Sequence, residues 1–174
     1  LIRFLENANF RSVTIMMTLP SLALFSITDF MDDMMTIKKQ YGHNKPLLDL
    51  NILRWPSFMS PLAMPDHIKD HCRSKLENWL EANKHSEHLG DGEIAQIKRL
   101  IDYIETVDKP HRRTTEDKLK LQQDFKSFYQ QYDVRRNKNL ETTFPPILTD
   151  WLKGIEIQKA SAQTINSKIS NYED

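Results

Sequence analysis

The chain has one cysteine and four glycines among 174 residues, and its 24 Lys and Arg balance its 24 Asp and Glu. Each scarcity removes a class of function. A lone Cys72 cannot form an internal disulfide, a tetra-cysteine zinc site or a three-cysteine cluster ligand set, and a reducing, cytoplasmic setting is the default for such a composition. No glycines are paired after a strand-like segment, so there is no Gly-rich loop to cradle a phosphate. Ser21, Ser26, Ser57 and Ser60 lack the glycine neighbours of a nucleophile elbow, which leaves acyl transfer without a candidate. With no net charge, no global field draws nucleic acid or an acidic membrane. The longest apolar stretch, Val13 to Ile27, is broken by Thr18, Pro20, Ser21 and Ser26 and is short of the ~20 residues a bilayer crossing needs. Leu1 is not methionine and no basic segment precedes an apolar one, so the expectation is a cut through a longer protein with no signal peptide.

What is present is organised around the stretch from Pro46 to Pro65. Leu47-Leu48-Asp49-Leu50-Asn51-Ile52-Leu53 alternates and then runs apolar, like a strand buried on most of its length, and Trp55-Pro56 stops it by removing a donor and forbidding helix. Upstream, residues 12–19 have a β-branched start and near-continuous apolar character, which suits a strand covered on both faces of a parallel sheet. Between them lies a helix capped by Ser26 or Thr28 and running to about Gln40, with Phe30, Met34 and Ile37 on one side and Ile27, Met31 and Met35 beside them. Tyr41-Gly42-His43-Asn44 ends it. Leu1 to Asn9 reads as the last turns of an earlier helix, stopped at Asn7-Ala8-Asn9. Helix, strand, helix, strand with short connections is a βαβ crossover with the preceding helix attached. Two parallel strands cannot cover themselves and need neighbours on both edges, so residues 1–64 are expected to end a larger α/β sheet or barrel whose other strands lie upstream.

From Pro65 onward the composition turns charged and the apolar residues take helical spacing, while all seven methionines fall within residues 16–64. Asp66 to Asn83 puts Ile68, Cys72, Leu76, Trp79 and Leu80 on one stripe, and Asp91 to Val107 aligns Ile94, Ile97, Ile101 and Ile104 with Asp91 as N-cap. Lys109-Pro110-His111-Arg112-Arg113 is a break. Thr114 with Asp117 resembles a capping box and opens a helix with Leu121, Phe125, Phe128 and Tyr132 inward. Asn137-Lys138-Asn139 turns the chain, and Phe144-Pro145-Pro146 leads into a short helix, Ile147 to Lys153, ended by Gly154. Residues 155–174 have little apolar periodicity and read as frayed helix or disorder.

Side-chain chemistry is sparse. His67 and His71, four apart with Cys72 adjacent, have a spacing that can share a metal, but no glutamate follows the first histidine and Cys72 points about 100 degrees from His71 on a ~3.6-residue helix. Surface histidines and a buried structural thiol explain them better. His85 and His88 are loop residues, and Asp32-Asp33 reads as a solvated helix face. Arg112-Arg113 and Arg135-Arg136 are flanked by acids and read as ordinary surface charge rather than a phosphate grip. Position says more than type. Parallel α/β sheets hold ligands at the carboxyl ends of their strands, which singles out Thr18, Pro20 and Ser21 after the first strand and Asn51, Arg54 and Trp55 after the second. Arg54 beside Trp55 can stack on or pair with an anionic or aromatic ligand, or can equally anchor the first helix of the extension.

These residues also carry a resemblance. A strand ending at Thr18 and Pro20, a helix, then Leu50-Asn51-Ile52-Leu53-Arg54-Trp55-Pro56 followed by Pro61-Leu62-Ala63-Met64-Pro65 resembles the closing βαβ of radical S-adenosylmethionine enzymes with a twitch-like C-terminal extension. Tyr132-Asp133-Val134-Arg135-Arg136-Asn137-Lys138-Asn139, with Phe144-Pro145-Pro146 and Trp151, is similar to the ending of that subgroup, so the likeness spans nearly the whole chain to Trp151. It implies an α/β fold: a closing αβαβ piece of a partial parallel barrel over 1–64, a mostly helical extension over 65–154, and a frayed or disordered tail over 155–174. It implies a parent protein that binds S-adenosylmethionine on a [4Fe-4S] cluster and cleaves it to a 5′-deoxyadenosyl radical. The Cys-x3-Cys-x2-Cys loop that holds such a cluster is missing here, as are cysteines for an auxiliary one. This chain alone is therefore expected to bind no cofactor and to be inactive, shaping the cofactor and substrate side with Thr18, Asn51 and Arg54 as its carried-over cofactor contacts. The implied partners are the missing N-terminal part of the same protein and an unidentified peptide or small-molecule substrate, with no nucleic acid and no membrane. The competing expectation is a helical binding or scaffold module with no catalytic activity.

Overall fold

The computed structural model describes residues 1–7, 10–42, 44–106 and 115–156. It contains two compact units, Leu1–Phe125 and Lys126–Asp174. The expected Asn7-Ala8-Asn9 stop, the break at 109–113 with Arg112-Arg113, the Thr114 cap and nearly all of the 155–174 tail lie outside the described residues.

The first unit is mixed α/β and mostly helical. Helix α1 (Ile2–Asn7) precedes strand β1 (Thr14–Leu19), and a 3-10 turn over Ser21–Phe25 leads into α2 (Ile27–Tyr41). Gly42, at φ +100°, ends α2 in a conformation side chains rarely adopt. Strand β2 (Leu47–Ile52) follows, then 3-10 turns at Ser57–Met59 and Pro61–Ala63, and then α3 (Asp66–Asn83) and α4 (Asp91–Thr106). Ser26 stands at the start of α2, but its side chain makes no capping bond.

The two strands form one parallel sheet, with Thr14 beside Leu47, Met16 beside Asp49 and Thr18 beside Asn51. Because side chains alternate along a strand, these six residues share one face and Ile15, Met17, Leu19, Leu48, Leu50 and Ile52 share the other. The second face is the packed one: Leu19, Leu48 and Leu50 are buried there, whereas Met16 is 75% exposed and Thr14, Thr18 and Asn51 are exposed. The expectation that both faces would be covered is thus corrected. Helices α2, α3 and α4 supply the core, through Ile27, Met31 and Met34, then Ile68, Cys72 and Leu76, then Ile97, Leu100 and Ile104. The Trp79 indole donates to Asp32 Oδ1 at 2.7 Å, and Lys75 Nζ to the Phe25 carbonyl at 3.3 Å; both tie α3 to the α2 region. Since α3 and α4 share this core, the compact unit runs past the division expected at 64/65.

Cys72 is wholly buried, and His67 and His71 face solvent, so the three do not converge. Burial pushes the Cys72 thiol up from its ordinary value near 9 to about 11, Lys75 opposing in part. Below pH 9 the thiol is protonated in both folded and unfolded chains. Between about 9 and 11 the unfolded chain releases a proton that the folded one keeps, so stability falls by about 2–3 kcal/mol as pH rises across that window. Urea midpoints at pH 8 and pH 10.5 should diverge for this chain and much less for Cys72→Ala. A thiol-reactive dye at pH 8 should label Cys72 only after unfolding.

Helix α5 (Thr115–Arg136) runs from the first unit into the second, with Phe125 wholly buried. Leu121 and Phe128 are half-buried, but Tyr132, expected inward, is 43% exposed. Asn137, at φ +50°, makes the expected turn. Helix α6 (Leu140–Thr143), unforeseen in the sequence, is capped by Asn139, whose side chain accepts from the Thr142 amide. Helix α7 (Pro146–Gly154) closes the second unit, whose core holds Leu140, Leu148, Leu152 and Ile155. Among the described residues no helix is long and apolar enough to cross a membrane.

Candidate functional site

The site to consider is the carboxyl end of the sheet, where β1 and β2 release their chains side by side. Thr18 and Asn51 are register partners at this end, both exposed on the open face. Three residues on, Arg54 lies exposed with its guanidinium carbon 5.8 Å from the centre of the Tyr103 ring, within cation–π range. Trp55 is 80% exposed. The Tyr103 hydroxyl is 3.4 Å from Ser60 Oγ, and Ser60 is wholly buried under the 3-10 turn it caps. Pro20 is half-buried; Ser21 is wholly buried with its hydroxyl unpartnered, in the turn that packs on Pro61–Ala63. Arg54 therefore stands against α4, the second helix after Pro65, rather than anchoring the first.

Why α4 reaches this point follows from what it does along β2. The amide and carbonyl groups of Leu47 and Leu53 turn toward β1, so those of Leu48 and Leu50 turn outward. Side chains of α4 meet them. Leu48 N–H donates to Glu93 Oε1 at 2.9 Å, Leu50 N–H to Gln96 Oε1 at 2.5 Å, and Arg99 donates to the Leu50 carbonyl at 2.5 Å. Residues 93, 96, 99 and 103 follow one another along one side of the helix, so Tyr103 falls opposite Arg54 by the same geometry. The expectation that both sheet edges need strand neighbours is corrected on this side: helix side chains take the place of a strand. On the other side, Thr14, Met16 and Thr18 point their backbone groups away from β2, and nothing among the described residues bonds to them.

Glu93 is the centre of the seal. It stands at the third position of α4, where it also accepts the Gly90 N–H at 3.0 Å, as in a capping box. Lys38, 1% exposed, drives its ammonium between the two Glu93 oxygens at 2.6 and 2.5 Å and donates to the His88 carbonyl at 3.0 Å. Every strong donor and acceptor of this buried pair has a partner, which is the condition under which such a pair is tolerated.

A concavity of about 270 Å³ lies in the Lys126–Asp174 unit between Tyr129, Leu140 and Leu152. Two of its polar groups are committed to the fold. Lys126 Nζ donates to the Ile155 carbonyl at 2.6 Å, and Asp133 Oδ2 accepts the Leu140 amide at 2.7 Å. Burial, with Tyr132 nearby, pushes the Tyr129 hydroxyl up to about 12, so it stays a neutral phenol.

Chemically, the carboxyl end offers a hydroxyl, an amide, a guanidinium and an exposed indole, a set that binds and orients. Among the described residues no cluster of three or more His, Cys, Asp or Glu side chains is placed to hold a metal ion. The sequence singled out Thr18, Asn51, Arg54 and Trp55, all of them exposed at this end; it gave no comparable pointer to Tyr103, which lies under Arg54. No protein-family model, no curated protein and no solved structure matches the chain, and its function rests on this geometry.

Proposed function

We propose that this chain is the closing, ligand-facing segment of a parallel-barrel radical S-adenosylmethionine enzyme, shaping the cofactor and substrate side while other residues of the same polypeptide hold the cluster. The observation that supports it is the one-sidedness of the sheet: a polar open face and an unmet β1 edge beside a β2 edge sealed by α4. A last barrel strand has that asymmetry, with its lumen face open and its outer side packed on helices. The chain does not fit a cluster, because its one cysteine is wholly buried beside Ile68 and Leu76. Thr18, Asn51 and Arg54 do fit the hydroxyls and carboxylate of adenosylmethionine, offering hydroxyl, amide and guanidinium donors at the sheet's carboxyl end. Bound to a reduced cluster, that molecule supplies radical chemistry; the residues here hold and orient it.

The sealed β2 edge also favours a second reading, a helical binding or scaffold module complete without further strands. One preparation separates them. A polypeptide extended upstream of Leu1, reconstituted anaerobically with iron and sulfide, should turn brown and keep its colour through desalting. Colourless protein sinks the radical reading and leaves the scaffold. In the reconstituted protein, Arg54→Ala should weaken adenosylmethionine or substrate binding by about 1–3 kcal/mol, as loss of a charged hydrogen bond does. Unchanged affinity for both removes Arg54 from the site.

A further inference from the structure

The carboxyl end of the sheet holds a cation that no carboxylate among the described residues answers. Arg54 forms no ion pair with any described residue, although it sits beside α4, whose own arginine, Arg99, is engaged on the Leu50 carbonyl. Among the described residues its guanidinium lies over an aromatic face, that of Tyr103. Tyr103 is half-buried and fixed at both ends, its ring under the guanidinium and its hydroxyl against the buried Ser60. A guanidinium set over a ring 5.8 Å from its centre still has N–H donors to offer, and their fork matches the paired oxygens of a carboxylate or phosphate. Trp55, next in the chain, leaves four-fifths of its surface in solvent. An exposed indole next in sequence to that guanidinium is a combination suited to an anion carrying a flat apolar group.

From this arrangement we infer that Arg54 binds the oxyanion of an aromatic or heteroaromatic ligand, that Tyr103 is the positioning residue that sets the guanidinium plane, and that Trp55 stacks on the ligand's flat part. This rests on the reading that the sheet's carboxyl end is a ligand site, and it adds the chemical class of the ligand and a residue on α4. It needs neither cluster nor upstream strands, so it is testable on the chain itself.

The test follows the emission of Trp55 while the chain is titrated with phenyl phosphate, phenylacetate and neutral benzyl alcohol. Trp79, buried and bonded to Asp32, makes a poor reporter, and Trp55→Phe identifies which signal belongs to the site. One or both anions should saturate the signal while benzyl alcohol does not. The tighter anion names the group, phosphate or carboxylate. Arg54→Gln should weaken that anion by at least about tenfold, the ordinary worth of a charge-assisted pair. Tyr103→Leu should weaken it about three- to tenfold without moving the urea midpoint by more than a few tenths of a molar, and Tyr103→Phe, which keeps the ring face, should stay within about twofold. Benzyl alcohol binding as well as the anions, or Arg54→Gln binding as well as the parent, overturns the proposal. Equal losses in Tyr103→Leu and Tyr103→Phe overturn the positioning role. A colourless extended protein that still binds the anions through Arg54 would refute the radical reading alone, and a brown one that ignores them would refute this inference alone.

Discussion

Lys38→Met is expected to destabilise the first unit by about 3–5 kcal/mol, a large share of the ~5–15 kcal/mol that holds an ordinary domain together. The reason is the carboxylate it leaves behind. Glu93 would keep two amide donors, Leu48 and Gly90, but lose the one cation bonded to it among the described residues, inside a region where its own side chain is 6% exposed. Removing both charges should cost much less than removing one. In Lys38→Met with Glu93→Gln, the side-chain carbonyl still accepts one of those amides and no buried charge remains, so the pair should recover most of the loss. Urea unfolding of the parent, the two single variants and the double variant gives the coupling directly. If Lys38→Met falls within about 1 kcal/mol of the parent, the ammonium is not buried on Glu93 as described.

Leu50→Ala should cost about 2–5 kcal/mol, while Asn51→Ala, one residue along the same strand, should stay within about 0.5 kcal/mol. Leu50 is 1% exposed on the packed face and Asn51 is exposed on the open one. The contrast isolates side-chain burial, because Gln96 and Arg99 hold the backbone of residue 50 whatever side chain it carries. Were both faces of the sheet covered in this chain, the two substitutions would cost comparable amounts. Thermal or urea unfolding of both variants decides between these outcomes.

The elements themselves were largely legible, and their environments less so. Strong punctuation marks the ends: Pro20, Gly42, Trp55-Pro56, Pro65 and Asn137 all stand where a strand, helix or turn changes. The stripe Ile68, Cys72, Leu76, Trp79, Leu80 is buried to the last member. What misled was two apolar residues on the wrong face. Met16 and Leu47 interrupt an alternation of Thr14, Thr18, Asp49 and Asn51 that would otherwise announce a one-sided sheet. In α5 the stripe of Leu121, Phe125, Phe128 and Tyr132 fails at its last member, since Tyr132 is exposed, so spacing alone overstates how much of that helix is covered.

The seal on β2 was half visible. Lys38 falls on the stripe of Ile27, Met31, Met34 and Met35, and Glu93 on that of Ile97, Leu100 and Ile104, so each helix carries one charge where its pattern calls for an apolar residue. A lysine and a glutamate misplaced in this way in two helices of one unit are a pair to look for. Gln96 and Arg99 left no comparable trace, since they read as surface until β2 is placed beside them. Tyr103 was hidden for the same reason: only the tertiary fold sets it against Arg54.

The sheet can lengthen in one direction. Thr14–Leu19 presents a six-residue ladder, about 20 Å, with no lysine, proline or bulge to discourage a visitor. Sheet proteins ordinarily guard such a margin, and among the described residues nothing guards this one, so its outward amides and carbonyls match the backbone of a further strand. Along β2, α4 forecloses the same addition.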